Sequence, residues 1–181
     1  MKKYLSISIF LFLILVIGVQ TGNAMDLTLS KDSSVQVYFS PRGECTDAIV
    51  SEIDHSKTEI LVQAYSFTSS PIAHALASAN KRGVKVLAIL DKSQRSERYT
   101  SATFLTNTSI PTFIDDKHAI AHNKIMIIDK AKVITGSFNF TKAAEEKNAE
   151  NLLVISSKEL AGYYLDNWQK HREHSVPYGR L

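Results

Sequence analysis

Apolar and polar residues alternate with a period of two from Val35 to Phe39 (VQVYF), which predicts a strand closed by Ser40-Pro41-Arg42-Gly43. The period then becomes helical through Ala48, Ile49 and Ile53, so Asp47 to His55 is expected to form a helix capped by Thr46. Glu59 to Phe67 (EILVQAYSF) reads as a second strand. Ser70-Pro71 opens a second helix, because proline lacks only an N–H that the first turn leaves unpaired. Gly83 ends that helix, since glycine takes the left-handed position beyond a helix end at little cost. Val84 to Leu90 is a third strand, followed by a polar segment from Ser93 to Asn107 that is expected to be helical. Pro111 to Ile114 is a short strand. Ile120–Ile128 and Val133–Ser137 are expected to pair as a hairpin turning at Asp129-Lys130-Ala131-Lys132. Asn151 to Ile155 (NLLVI) is the last strand, and Glu159 to His174 the closing helix.

Strands and helices that alternate in this way imply one α/β domain, a mixed β-sheet layered between helices on both faces. The sequence shows no internal repeat, low-complexity tract or linker. Its first two dozen residues follow a different rule. Met1-Lys2-Lys3 is basic, Leu5 to Val19 is apolar apart from two serines, and Gly22-Asn23-Ala24 offers small residues at a cleavage site. Residues 1–24 are therefore expected to be a secretory signal peptide and 25–181 the mature domain, periplasmic or secreted. The apolar run falls short of the roughly 20 residues of a spanning helix, so no membrane contact is expected after cleavage.

Hydrophobic residues make up 44% of the 181 and charged residues 22%, which excludes a disordered chain. Without Lys2 and Lys3 the 21 basic residues fall to 19 against 18 acidic ones, so the mature net charge is near +1. A nucleic-acid partner would then need local basic patches. Candidates are Lys81-Arg82-Gly83-Val84-Lys85, the group Lys92, Arg95 and Arg98, and Lys170-His171-Arg172, each of which reads first as a solvated face. Cys45 is the single cysteine. It precludes an intrachain disulfide and a cysteine-based metal site, and reads as a small buried apolar residue.

The chemistry concentrates in HNKIMIID, His122 to Asp129. Residues two apart on a strand share a face, so His122 and Lys124 project together, with Met126 and Ile128 continuing the row. Asp129 has the opposite parity and lies about 23 Å along an extended chain from His122, so it is expected to fix the following turn. After the hairpin comes TGSFNF, where Gly136 lets the backbone turn and Ser137 and Asn139 share a side. Paired strands lie about 5 Å apart, which would bring this pair near His122 and Lys124. One nucleophile or base, one fixed cation and two neutral polar groups suit phosphoryl transfer, where catalysis is largely positioning and charge stabilisation. Alone, a histidine, a lysine or a GSxN turn on a surface is ordinary; their joint spacing is not.

His122-x-Lys124 with Asp129, followed by Gly136-Ser137-x-Asn139, resembles the HKD motif of the phospholipase D superfamily without departure. The likeness runs through GSFNFTKAAEEKNAEN, Gly136 to Asn151, and covers residues 35 to 175, where it is similar to the small secreted bacterial endonucleases of that superfamily. The resemblance implies that His122 attacks phosphorus to form a phosphohistidine. It implies that Lys124 and Asn139 hold the non-bridging oxygens with support from Ser137. It further implies that Glu150 orients an imidazole, of its own chain or of a partner. Neither cofactor nor metal is implied.

Such chemistry needs a second proton-transfer group, and larger members of the superfamily carry two HKD copies. Here His55, His74, His118, His171 and His174 all lack the lysine two residues on. A symmetric homodimer, with two copies of His122 meeting on its axis, would supply the second. The expected activity is a metal-independent, non-specific endonuclease on DNA, and RNA as a further substrate, contacting mainly phosphates. Three rivals stand beside it. A zinc hydrolase could use the four-residue spacing of His118 and His122, although a strand separates them by about 13 Å. A phospholipase D or cardiolipin hydrolase would use the same site, and an exported DNA-binding module would use none of it.

Overall fold

The computed structural model describes residues 26–97 and 100–179. Residues 1–24, expected to be a signal peptide, lie outside them, as does Arg98 of one basic group. Among the described residues no helix is long and apolar enough to cross a membrane.

Eight strands form one mixed sheet: β1 (Ser34–Ser40), β2 (Glu59–Ala64), β3 (Lys85–Asp91), β4 (Thr112–Asp115), β5 (Lys124–Ile128), β6 (Lys132–Gly136), β7 (Glu150–Ser156) and β8 (Val176–Pro177). Their order is β1-β7-β6-β5-β2-β3-β4-β8. β2, β3 and β4 run parallel, and every other pairing is antiparallel. Ile60, Leu61, Val62 and Ile125 to Ile128 are buried without alternation, as central strands covered on both faces require.

Helices α1 (Cys45–His55), α2 (Ser70–Lys81), α3 (Ala102–Asn107) and α4 (Lys142–Glu146) accompany a large core on one face, around Ile49, Ile72, Leu76, Phe67, Phe138 and Phe140. The long helix α5 (Lys158–His174) covers the other face through Ala161 and Trp168, against Leu61, Ile89, Phe113 and Ile127. Trp168 donates its indole N–H to the Val62 carbonyl at 3.0 Å, which satisfies the polar end of a buried ring. The expected layered α/β architecture is thus observed.

Several local expectations fail for identifiable reasons. The segment from Ser93 to Asn107 holds a 3₁₀ turn at Lys92–Arg95 and only the short α3. Asp91 caps the turn by accepting from the Ser93 N–H at 2.9 Å. Thr46 lies inside α1 and does not cap it. Its N–H donates instead to Glu145 Oε2 at 2.7 Å, so the acidic end of α4 caps α1 from 99 residues away. Cys45, at the head of α1, is fully buried; burial and the nearby Glu145 charge push its thiol up to about 11. A thiol so held is a packing group.

The basic groups are mostly engaged. Arg82 donates to the Ile53 carbonyl and Lys85 pairs with Glu59 at 3.1 Å. Lys92 donates to the His118 carbonyl, Arg95 pairs with Asp116, and Arg172 stacks 3.4 Å from the Phe113 ring centre.

Candidate active site

β5 runs antiparallel to β2, so its first residue, Lys124, lies opposite the last residue of β2, Ala64. The start of β5 therefore meets the carboxyl ends of the parallel strands, where open α/β sheets place their ligand sites. The strand expected from Ile120 begins only at Lys124, and His122 sits in irregular chain just before it, exposed. His122 and Lys124 meet nonetheless, because the lysine side chain folds back. Its Nζ lies 3.0 Å from Nδ1 and 3.1 Å from Nε2 of His122, and donates to the His122 carbonyl at 3.1 Å.

Lys124 is 6% exposed. Burial pushes its ammonium below the ordinary lysine range, while the charge of Glu150 works in the opposite sense. The result is a fixed, poorly hydrated cation beside an accessible imidazole. Tyr65, which follows β2, closes the other side: its ring centre is 4.5 Å from that of His122 and 5.2 Å from Lys124 Nζ. The loop ahead of His122 is tied down by Asp91, whose Oδ2 accepts from the Ala121 N–H at 2.7 Å.

Gly136 ends β6 with φ 145, and a Cβ there would stand 2.3 Å from the Asn151 carbonyl oxygen. Only glycine lets β6 approach β7 so closely. The next residue, Ser137, accepts at Oγ from the Asn151 backbone N–H at 3.1 Å and from its side-chain Nδ2 at 3.3 Å. Asn139 keeps its amide oxygen buried without a hydrogen-bond partner. Glu150, first residue of β7, accepts from Asn148 Nδ2 at 3.1 Å. Among the described residues no hydrogen bond joins His122 to Ser137, Asn139 or Glu150. Within one chain the contact pair is His122 and Lys124, with Glu150 acting on Lys124 by charge.

Asp129 stands at the far end of β5, with φ 52. Its Oδ1 accepts from the Thr58 N–H (2.7 Å), the Thr58 hydroxyl (2.8 Å) and the Glu59 N–H (3.1 Å), and its Oδ2 from the Lys57 N–H (2.9 Å). Burial opposes ionisation, but the Thr58, Glu59 and Lys57 backbone donors outweigh it and hold the carboxyl below its usual range. Asp129→Ala should cost about 2–3 kcal/mol, combining lost charge-assisted hydrogen bonds with a left-handed backbone that alanine dislikes. Urea denaturation would measure that loss, and activity per folded molecule should stay near wild type. The stability is held at neutral pH and fades as pH drops below the ordinary carboxylate range toward the lower folded value.

His122, Asn123, Lys124, Ile125, Thr135 and Gly136 line an open cleft of ≈ 410 Å³ whose other wall is α5, through Tyr163, Tyr164 and Asn167. Sequence reasoning missed Tyr65, Asp91 and this tyrosine wall. Only the apolar-to-polar change at the end of β2 hinted at Tyr65. The zinc pairing of His118 with His122 does not form: His118 lies against Asp115 and His171, and His122 against Lys124 and Tyr65.

Residues 49–172 match the family model described as "Cardiolipin synthase, PLD-like domain". A phospholipase D of Rickettsia conorii is 44% identical over 146 residues, which span 81% of this chain and 72% of that one. The crystal structure of Nuc from Salmonella typhimurium, a phospholipase D family member, superposes with a TM-score of 0.79 at 41% identity. That match covers 82% of this chain and all of Nuc. NucT from Helicobacter pylori shares the fold, with a TM-score of 0.75 at 24% identity over 81% of this chain and all of NucT.

Proposed function

The chain belongs to the phospholipase D superfamily and is a phosphodiesterase of that superfamily; from that premise we propose that it is an exported, metal-independent endonuclease whose active site is completed by a second copy of itself. The observation that carries this reading is the pairing of an exposed His122 with a desolvated Lys124 in an open cleft. A buried ammonium keeps its charge unscreened for a phosphate, and an accessible imidazole can reach a bulky polymer.

In the first step a His122 ring nitrogen forms a bond to phosphorus as the P–O bond to the leaving strand breaks. The imidazolium of the second copy's His122 gives its proton to that oxygen. Water then attacks phosphorus, the N–P bond breaks, and the water proton returns to the second imidazole. Lys124 meets the non-bridging oxygens. Asn139 would meet them through the N–H donors of its amide, and Ser137 fixes the backbone that carries it. Glu150 leaves His122 of its own chain unbonded, which favours service to the second copy's ring.

An apolar stripe supports the dimer. Val35, Val37 and Phe39 point outward from edge strand β1 and are 45%, 52% and 67% exposed. Phe39 is paired with Asn151, the residue that holds Ser137, so the stripe runs up to the rim of the site.

The names of the relatives favour a second reading, lipid phosphodiester hydrolysis. One experiment separates the two: plasmid nicking against headgroup release from phosphatidylcholine, both in excess EDTA. Plasmid cleavage should persist and headgroup release should be at least about 100-fold slower; the reverse order would make the enzyme a phospholipase. Binding to DNA should also weaken steeply with salt.

A further inference from the structure

On the opposite flank of the His122 loop, four side chains converge with no role in the chemistry above. Asp115 ends β4 and is fully buried, an unusual place for a carboxylate. His171 Nδ1 lies 2.7 Å and His118 Nδ1 2.9 Å from its Oδ2, and His174 Nε2 lies 3.2 Å from its Oδ1. The three ring centres are 4.8, 5.1 and 5.5 Å apart. One protonated imidazole would suffice to neutralise one carboxylate. Three present nitrogen edges here, and His174 Nε2 is buried without making a hydrogen bond.

We propose that Asp115, His118, His171 and His174 bind one divalent transition-metal ion of the zinc class as a structural staple. One potential ligand atom from each residue lies within 4.8 Å of those of the other three. A three-imidazole, one-carboxylate set matches the borderline softness of zinc and its preference for four ligands. Zinc–ligand bonds near 2.0–2.1 Å imply ligand atoms about 3.4 Å apart, so the widest pair must close by about 1.4 Å through side-chain rotation. All four positions are filled by protein, which leaves none for water and makes the site structural.

The local fold prepares the set. His171 and His174 are three residues apart in the last turn of α5 and so share a face. Asp115 and His118 flank the turn that leaves β4, where Lys117 N–H donates to Asp115. An ion here would clamp the end of α5 to β4 and to the head of the loop that reaches His122 four residues later. Lys92, bonded to the His118 carbonyl, and Asp91, bonded to Ala121, brace the same loop. The site is separate from the phosphodiester chemistry, so it stands whether the substrate is DNA or lipid.

The test is titration of the chelator-stripped, untagged mature protein with zinc chloride. One zinc per chain should bind with a Kd of micromolar or tighter, and Tm should rise by about 5–10 °C at a hundredfold excess over Kd. Cobalt in the same site should give the intense visible absorption of four-coordinate geometry. His118→Ala, on an exposed loop, and the double variant His171→Gln/His174→Gln should each weaken zinc binding at least about 100-fold. A wild-type protein that binds zinc no more tightly than these variants, shows no Tm shift, or gives a six-coordinate cobalt spectrum would overturn the proposal. Because the wild-type titration decides alone, a variant that fails to fold does not rescue it.

Discussion

His122→Asn should lower plasmid cleavage by about 10⁴-fold or more while leaving DNA affinity and thermal stability near wild type. The size follows from the role: asparagine can neither form the N–P bond nor carry a proton, so both steps of the displacement lose their reacting group. The mild effect on folding follows from position. His122 is exposed, precedes β5, and among the described residues its side chain contacts Lys124 and Tyr65. Gel-based nicking assays, fluorescence anisotropy on a labelled duplex and a melting curve would check the three parts. Retained cleavage would remove His122 as the nucleophile. Loss of binding together with cleavage would mean that it holds substrate instead.

The second large effect concerns the axis. Glutamate at both Val37 and Phe39 should convert the protein to a monomer and cut cleavage by at least about 10³-fold, because each half-site then lacks its proton donor. Both side chains already face solvent in the single chain, so the fold itself should tolerate the change. Light scattering gives the mass and nicking the activity. A monomeric variant with full activity would refute the shared site. Mixing offers an independent check: refolding wild type with excess His122→Asn chains should suppress activity beyond simple dilution, since a mixed dimer holds one imidazole.

Much of the fold could be read from hydrophobic periodicity, because its central strands are long apolar runs and its main helices have clean faces. What escaped was set by distant contacts or by brevity. α4 has five residues, too few for a period to show, and its one local sign is Thr141, whose hydroxyl accepts from the Ala144 N–H. Thr46 looked like a cap because residue type was the only guide; the capping oxygen comes from Glu145. β8 is two residues long and exists only because β4 offers it an edge.

The site shows the same division. His122, Lys124 and Asp129 could be named from spacing, and parity alone placed Asp129 away from His122. Its carboxylate, expected to fix the turn after β5, instead holds the backbone of Lys57, Thr58 and Glu59 at the start of β2, a contact set by strand pairing. The assumption of a strand through His122 was wrong, yet the contact with Lys124 survives because a four-carbon side chain can turn back. Tyr65 reaches His122 through strand order. Asp115 and His171 are 56 residues apart, so no local pattern could unite them.

β5 is held to a fixed length. Its five residues are gripped at both ends, by Lys124 against the imidazole and by Asp129 against the β2 entrance. The strand works as a fixed-length strut. Adding or deleting a single residue between them would rotate one grip to the wrong side of the sheet, so this is where length variation should be least tolerated in any descendant of the sequence.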